Sequence, residues 1–377
     1  MESQLEIKKR LHNLFLNKKT DCANTLYRNP VVQYIDPKRF IREKEILFKN
    51  NPICIGTSSL IPNIGDWYTI DIVDYPVLLT RDEDMKINAY LNICSHRGAK
   101  LADGNGNTRK AFKCPYHSWT YSLKGKLISR PREESFDGIK KEKCNLKKIN
   151  VIEKFGFLWI LLTKTAEKES KKYFEELHPI MDHYDLSNYH HYKTGIMKPE
   201  INWKLAVDTF LELYHITHLH PETLSDIIKG DTCLFDKYGR HMRIIGARQS
   251  LNEIKNDILK IDNIENHILN LKVIFPNTIF VDHGEHIELW HILPGDSVNK
   301  SWVSVSLFTK SPFKTRSETR HWENNFQLLK DVVEQEDFPL GENVQKGFYA
   351  DKQRELIFGK NEPGLQHFHK YLDKLIS

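Results

Sequence analysis

The 377-residue sequence has no long apolar run. The longest unbroken one, Phe157 to Leu162, falls far short of the roughly 18 residues that a membrane-spanning helix needs. The opening stretch from Met1 to Arg10 holds no apolar segment of signal-peptide length, so a cytoplasmic protein is expected rather than a secreted or membrane-bound one. Cys22, Cys54, Cys94, Cys114, Cys144 and Cys233 are too few and too scattered for a disulfide scaffold. A Gly-x-Gly-x-x-Gly fingerprint is missing, so any NAD(P)H would be oxidised by a separate reductase. Internal repeats and low-complexity tracts are missing too. Charge of one sign is scarce: 55 Lys and Arg against 50 Asp and Glu leave +5, which does not call for nucleic acid. With 40% hydrophobic and 28% charged residues, a mainly disordered chain is excluded.

Three regions stand out. Residues 1–43 read as helical and polar, with Leu5, Leu11, Leu14 and Phe15 on one stripe. Residues 44–163 carry short β-rich runs punctuated by Gly, Pro, Asn and Asp and read as an all-β domain. A charged stretch from Lys164 reads as a linker or the start of a connecting helix. Residues 164–377 are mixed: a helix over 203–220, strands near 240–250, 272–282, 286–293 and 300–309, then helices near 316–335, 341–358 and the C-terminus. Strands bracketed by helices predict an α+β class.

Two constellations carry chemistry. The first is Cys94-Ser-His96 followed by Cys114-Pro-Tyr-His117. Each half puts two metal ligands on one tight loop, and two such loops can enclose one centre. Two thiolates and two imidazoles suit a tetrahedral zinc, or a two-iron cluster in which His replaces Cys on one iron. The second runs from Asn202 to Pro221. On a continuous helix Asp208, Glu212 and His215 share a face, at i, i+4 and i+7. His220 lies about 140° round from His215 on an ideal helix, so the helix must loosen near 216–220 if both rings meet one ion. Pro221 fits a helix end, and His218 is the alternative partner by spacing. Two His and a carboxylate on one face of an iron form the triad of O₂-activating non-haem Fe(II) enzymes.

The flanking residues, His96-Arg-Gly and Cys114-Pro-Tyr-His-Ser-Trp, resemble the cluster loops of Rieske domains. With the second constellation, the chain from about 44 to 350 resembles the catalytic α subunit of Rieske non-haem iron oxygenases, also called aromatic-ring-hydroxylating dioxygenases. The resemblance implies a Rieske [2Fe-2S] domain followed by a helix-grip (START-like) catalytic domain with an antiparallel sheet. It implies that Cys94 and Cys114 bind one cluster iron and His96 and His117 the other. It implies His215 and His220 as ligands of a mononuclear Fe(II). Glu212 would be the carboxylate linking His215 to His117 of a neighbouring subunit, where many relatives carry Asp. Glu334-Gln-Glu336-Asp337, with Gln345-Lys-Gly347 after it, resembles the family's C-terminal segment and picks Asp337 as third ligand, with Glu336 the runner-up. Asp208 is a further catalytic candidate. A homotrimer is implied, as is a ferredoxin or reductase as donor, with a small organic substrate and O₂ as reactants. The reaction would be mono- or dioxygenation, including N- or O-demethylation, in aromatic compound breakdown; a plain electron carrier would use the first constellation alone. Arg97, Lys100, Arg109, Lys110, Lys113, Lys124, Lys126, Arg130 and Arg132, with only Asp103 against them, form a basic rim suited to an acidic donor. The expected pocket lining is Val207, Phe210, Leu211, Ile244, Ile245, Phe275, Phe280, Leu289 and the helix around 326–334. His283, His286 and His291 are expected to have no metal role.

Overall fold

The computed structural model describes residues 4–108, 110–255 and 257–377. The chain divides into two compact units. One comprises Phe48–Lys171 and Tyr184–Ser187; the other comprises residues up to Leu47, Lys172–His183 and Asn188–Ser377. The stretch read as a linker is the helix Lys164–Met181, whose charges are solvated or paired at its start, as in Lys164 with Glu167.

The β-unit is built on a seven-stranded antiparallel sheet. Its order is Ile53–Thr57, Phe157–Leu161, Lys148–Lys154, Ile87–Leu91, Tyr75–Arg81, Asp66–Ile72 and Asn105–Asn107. Ala111–Lys113, Thr120–Ser122 and Leu127–Ser129 form a three-stranded sheet. Leu78, Tyr90, Phe112, Trp119, Tyr121 and Leu123 pack into one core with Cys94 and Cys114. The two cysteine loops are thus anchored by their own side chains in apolar surroundings.

The larger unit is a seven-stranded antiparallel sheet with helices around it. Its order is His190–Met197, Ser301–Thr309, His286–Pro294, Thr278–Asp282, Ile268–Ile274, His241–Arg248 and Ile228–Tyr238. The strand expected over 272–282 is two strands, because Phe275-Pro276-Asn277 turns the chain. The helix expected over 341–358 ends at Ala350. Glu355–Phe358 instead pairs with Tyr27–Pro30 and ties the two ends of the chain together. The first helix, Gln4–Asn17, packs Ile7, Leu11, Leu14 and Phe15 against Leu234, Ile245 and Ala247, while Leu5 of the expected stripe stays exposed.

One buried ion pair fixes the start of the second constellation. Lys204 Nζ lies 2.6 Å from Glu43 Oε2, both side chains fully buried. Trp203 Nε1 donates to the same carboxylate oxygen at 2.9 Å, and Arg39 holds the other at 3.0 Å. Burial pushes the Lys204 pKa down, against the pull of Glu43. Asn202 caps the Trp203–Asp208 helix by accepting from Lys204 N. Lys204→Ala should cost roughly 3 kcal/mol, the low end for a broken buried pair because Arg39 remains. Lys204→Met combined with Glu43→Gln should recover much of that loss in urea unfolding. Equal losses in the single and double variants would show that the two charges are not coupled.

Candidate metal centres

In the β-unit the two cysteine loops close with the same hydrogen bonds. Cys94 N donates to Ala99 O at 2.8 Å and Gly98 N donates to Cys94 O at 2.9 Å. Cys114 N donates to Trp119 O at 2.8 Å and Ser118 N donates to Cys114 O at 3.0 Å. Gly98 and Ser118, the fourth residue beyond each cysteine, both turn with positive φ, +80° and +63°. Each cysteine therefore heads an equivalent knuckle that carries a histidine two or three residues on. The His96 and His117 ring centroids are 4.6 Å apart, and His96 stacks on Trp119 at 4.8 Å. His96 Nδ1 is buried with no hydrogen-bond partner, which fits a metal ligand and leaves a purely structural imidazole unexplained. Burial, aided by the nearby His117 and Arg97, lowers the His96 pKa and so favours the neutral imidazole that a metal ligand needs. Tyr121 Oη sits 3.3 Å from Cys94 Sγ and accepts from Ser95 N at 3.1 Å.

In the larger unit the expected helix over 203–220 is two short ones, Trp203–Asp208 and Ile216–Leu219. Between them the Glu212 carboxylate accepts from His215 N at 3.1 Å, competing with helical bonding as a cap does. Gly230 gives the irregular segment room: a Cβ there would come within 2.6 Å of Leu213 O. The break reverses the expectation for Asp208. Its carboxylate is turned to Tyr34 Oη at 2.6 Å and His369 Nε2 at 2.8 Å, and does not join Glu212 and His215. His220 stands where the second short helix ends, at φ −115° and ψ 46°, as its spacing from His215 requires.

Asp337 is delivered by a wide helical turn, Val333–Asp337, between the helices Arg316–Val332 and Phe338–Ala350. The extra residue in that turn shifts the helical register, so that two adjacent acids both reach inward. Asp337 Oδ1 lies 3.3 Å from His220 Nε2 and 3.8 Å from His215 Nε2. Glu336 goes to the back of the ring, with Oε2 2.7 Å from His220 Nδ1 and 3.2 Å from Thr223 Oγ1. Glu212 Oε1 likewise meets His215 Nδ1 at 2.5 Å. Each imidazole is held from behind by a carboxylate, and each Nε2 faces Asp337. This is how metal-binding histidines are oriented and their basicity raised. Asp337 Oδ1 is buried without a hydrogen-bond partner. Burial opposes charge on His220, but Asp337 and Glu336 outweigh it and raise its pKa. One ligand atom from each of His215, His220 and Asp337 lies within 4.8 Å of the others, so the trio can hold a single ion.

Comparison with known proteins agrees with both sites. Residues 51–150 match the Rieske [2Fe-2S] domain, and residues 186–377 match the ring hydroxylating alpha subunit (catalytic domain). The chain belongs to this family of Rieske oxygenases. It is 26% identical to the carnitine monooxygenase oxygenase subunit of Escherichia coli (strain K12), over 93% of this chain and 95% of that protein. It is 25% identical to the chloroplastic choline monooxygenase of Arabidopsis thaliana, over 90% of this chain and 81% of that protein. The quaternary ammonium Rieske monooxygenase CntA bound to L-carnitine shares its fold, with a TM-score of 0.78 at 20% identity and coverage of 97% and 99%. So does naphthalene 1,2-dioxygenase from Rhodococcus sp., with a TM-score of 0.75 at 19% identity and coverage of 100% and 99%. As a Rieske oxygenase the protein uses a [2Fe-2S] cluster and a mononuclear iron.

A cavity of about 130 Å³ opens beside His215, His220 and Asp337. Phe210, Leu213, Leu271, Val281, Trp290 and Val333 line it, with Glu288 and His283 as polar members. Of the expected lining, Phe210 and the helix around 326–334 are there, through Leu329, Val332 and Val333. Leu289 and Phe280 are not, because strand neighbours point to opposite faces and the cavity takes Glu288, Trp290 and Val281. Val207, Leu211, Ile244, Ile245 and Phe275 also lie outside its lining. The signal overlooked was Glu288 itself, the one acid in the mostly apolar run Ile287 to Leu293.

Asp337→Asn should yield protein with two irons and two acid-labile sulfides and an intact visible spectrum, against three irons in the parent. Glu336→Gln should keep the third iron but weaken its binding about 10–100-fold, read by competition with a chelator. Loss of sulfide in either variant would overturn the assignment of Asp337 to the mononuclear site.

Proposed function

We propose that this enzyme inserts one oxygen atom into a small quaternary ammonium compound, at a carbon bonded to the nitrogen. The cavity carries the reading. Its size is close to that of cavities which hold one benzene-sized guest, enough for a trimethylammonium head and too small for fused rings. Its walls offer the Phe210 and Trp290 rings, 5.1 Å apart, and the Glu288 carboxylate, a combination that attracts an alkylammonium cation. The names of the carnitine, glycine betaine and choline monooxygenases among its relatives support the same class. A fused aromatic substrate, and with it a role in polycyclic aromatic breakdown, is disfavoured by the cavity.

The balance is one substrate C–H bond and O₂ with two electrons and two protons, giving C–OH and water. An α-hydroxylated quaternary ammonium then expels the tertiary amine and leaves a carbonyl compound, which includes oxidative N-demethylation when the carbon is a methyl. His215, His220 and Asp337 hold the iron, which when bound activates O₂ with electrons from the cluster. Cys94, Cys114, His96 and His117 hold that cluster. Glu336 and Glu212 fix protons on the Nδ1 atoms of His220 and His215, leaving each Nε2 lone pair free toward Asp337. The apolar walls exclude water from the reacting carbon. Glu212 also links His215 to His117 of a neighbouring copy in a homotrimer, the route by which electrons cross. Six cysteines with no disulfide among them suit a cytoplasmic setting.

The donor is an acidic ferredoxin or the iron–sulfur domain of a reductase. The basic rim is narrower than its residue count. Lys100 pairs with Asp71, Lys124 with Asp84 and Glu83, and Arg130 is buried against Glu133. Arg97 lies over the Tyr116 ring, and Arg109 is outside the described residues. Lys110, Lys113, Lys126 and Arg132 remain exposed to steer a partner. Charge reversal at Lys110, Lys113 and Lys126 together should slow cluster reduction at least several-fold at low salt, with the difference shrinking as salt screens it. An unchanged stopped-flow rate would remove this surface from the docking site.

The function is tested by O₂ uptake with reductase, NAD(P)H and a panel of trimethylammonium compounds. One carbonyl product should form per O₂ consumed, and naphthalene should not be turned over. Uptake driven by simple aromatics and by no quaternary ammonium would overturn the proposal.

A further inference from the structure

Outside the iron trio, a second polar group of the larger unit lies on the turn after Thr278–Asp282 and the strand His286–Pro294. His283 Nε2 is 2.8 Å from Glu288 Oε1, and Trp290 Nε1 donates to Glu288 Oε2 at 2.9 Å. On the far side of the ring, Arg248 Nη2 donates to His283 Nδ1 at 2.9 Å. A guanidinium can only donate, so Nδ1 is the bare nitrogen and the ring proton sits on Nε2, which lies beside Glu288 without an aligned hydrogen bond to it. Glu288 is held ionised, its pKa at about 2: burial opposes this, and the His283 and His286 rings and the Trp290 N–H outweigh it.

His283, His286 and Glu288 also form a second two-histidine, one-carboxylate set within metal reach. The two rings, however, are stacked 4.5 Å apart and only 6° from parallel. Their in-plane lone pairs lie in separate parallel planes and do not converge on one ion. The group reads instead as a charge relay with a spacer. An anion and a cation are kept one imidazole apart, neither neutralising the other by direct contact. Among the described residues Arg248 makes no ion pair; its Nε donates to Ile268 O at 3.0 Å.

The two charges line overlapping spaces, Glu288 both of them and Arg248 the outer one alone. Glu288 lines the iron cavity with Phe210 and Trp290, whereas Arg248 does not. Arg248 lines an adjoining cleft with His286, Trp322, Asn325 and the acidic Glu285. The cleft and the cavity share Leu224, Ile228, Leu269, His283, Glu288 and Leu329 as walls, so the two spaces adjoin, with Arg248 on the cleft side and Glu288 between them. We propose that the substrate is a zwitterion, its quaternary nitrogen drawn inward by Glu288, Trp290 and Phe210 and its carboxylate held at the cleft by Arg248. This rests on the quaternary ammonium reading above and adds the second charge and the direction of entry. It also gives regiochemistry: the carbons on nitrogen, and not those beside the carboxylate, reach the iron.

The test is calorimetric binding to the iron-loaded enzyme with three probes: a trimethylammonium carboxylate, the same cation without the carboxylate, and the same carboxylate with tert-butyl in place of trimethylammonium. Arg248→Gln should weaken both carboxylate-bearing probes on the order of ten-fold and leave the plain cation within about two-fold. Glu288→Gln should do the reverse, weakening both cation-bearing probes and sparing the tert-butyl carboxylate. Unchanged iron and sulfide content reports an intact fold, and if Glu288→Gln fails to accumulate, the Arg248 arm decides alone. Equal weakening of all three probes, or a plain cation bound by the parent as tightly as the zwitterion, would sink the proposal. The two readings fail separately. A zwitterion bound in this pattern but never oxidised would overturn the quaternary ammonium oxygenase and leave the recognition standing. One oxidised with no effect of either variant would do the opposite.

Discussion

A carboxylate oxygen that is buried and accepts no hydrogen bond is expensive, and Asp337 Oδ1 is in that state. The two groups that face it are imidazole nitrogens backed by carboxylates, and neither makes a hydrogen bond to it. Only a cation relieves the cost. Much of the local backbone follows from assembling three such atoms within 4.8 Å. The helix after Asp208 breaks so that Glu212 can reach the back of His215. The second short helix stops at His220, and a wide turn is spent at Val333–Asp337 to aim two acids at one ring. These departures from regular helix sit on elements anchored elsewhere. The Glu43–Lys204 pair and the Asn202 cap hold the entry, and long helices flank the wide turn. Irregular backbone is affordable where the surrounding structure over-determines it.

The cluster site was legible because its information is local. Each ligand pair lies within four residues of chain, and the two knuckles repeat one hydrogen-bond pattern with no need of distant contacts. The mononuclear site was legible only in part. His215, His220 and Glu212 lie within one short stretch, but Asp337 is more than a hundred residues away, and resemblance alone singled it out. Asp208 shows the limit of periodicity. Three positions share a face only if the helix is continuous, and the Glu212 side chain, which suggested the face, is the group that interrupts it. The cavity lining shows a second limit. Leu289 and Phe280 were plausible because they are apolar, yet strand alternation turns them away and presents Glu288, Trp290 and Val281. A one-residue choice of face inverts the chemistry of a wall, and nothing in the local sequence sets that choice until neighbouring strands are paired.

Charge shows the same gap between composition and surface. Nine basic residues against one acid looked like a strong field, but the acids that answer them come from elsewhere in the β-unit: Asp71 for Lys100, Glu83 and Asp84 for Lys124, Glu133 for Arg130. Exposed pairs of this kind add little stability, yet they cancel the far field on which steering depends. What remains is a smaller set of lysines on one sheet edge and the turn beside it.

Glu288 is the clearest case of a residue whose cost identifies its use. The strand from Ile287 to Leu293 would pack more cheaply with leucine at that position, since a buried ion pair or polar network is often matched by apolar residues of the same shape. The structure instead gives the carboxylate a Trp290 N–H, sets the His283 ring beside it, and places Arg248 behind the imidazole. The Trp290 donor and the neighbouring ring hold the carboxylate ionised without covering it, and a direct bond to Arg248 would have neutralised it. The interposed ring prevents that bond. A carboxylate kept charged, uncovered and facing a small apolar cavity between two aromatic rings is a poor structural element and a good counter-ion, and its complement is a cation that arrives from outside.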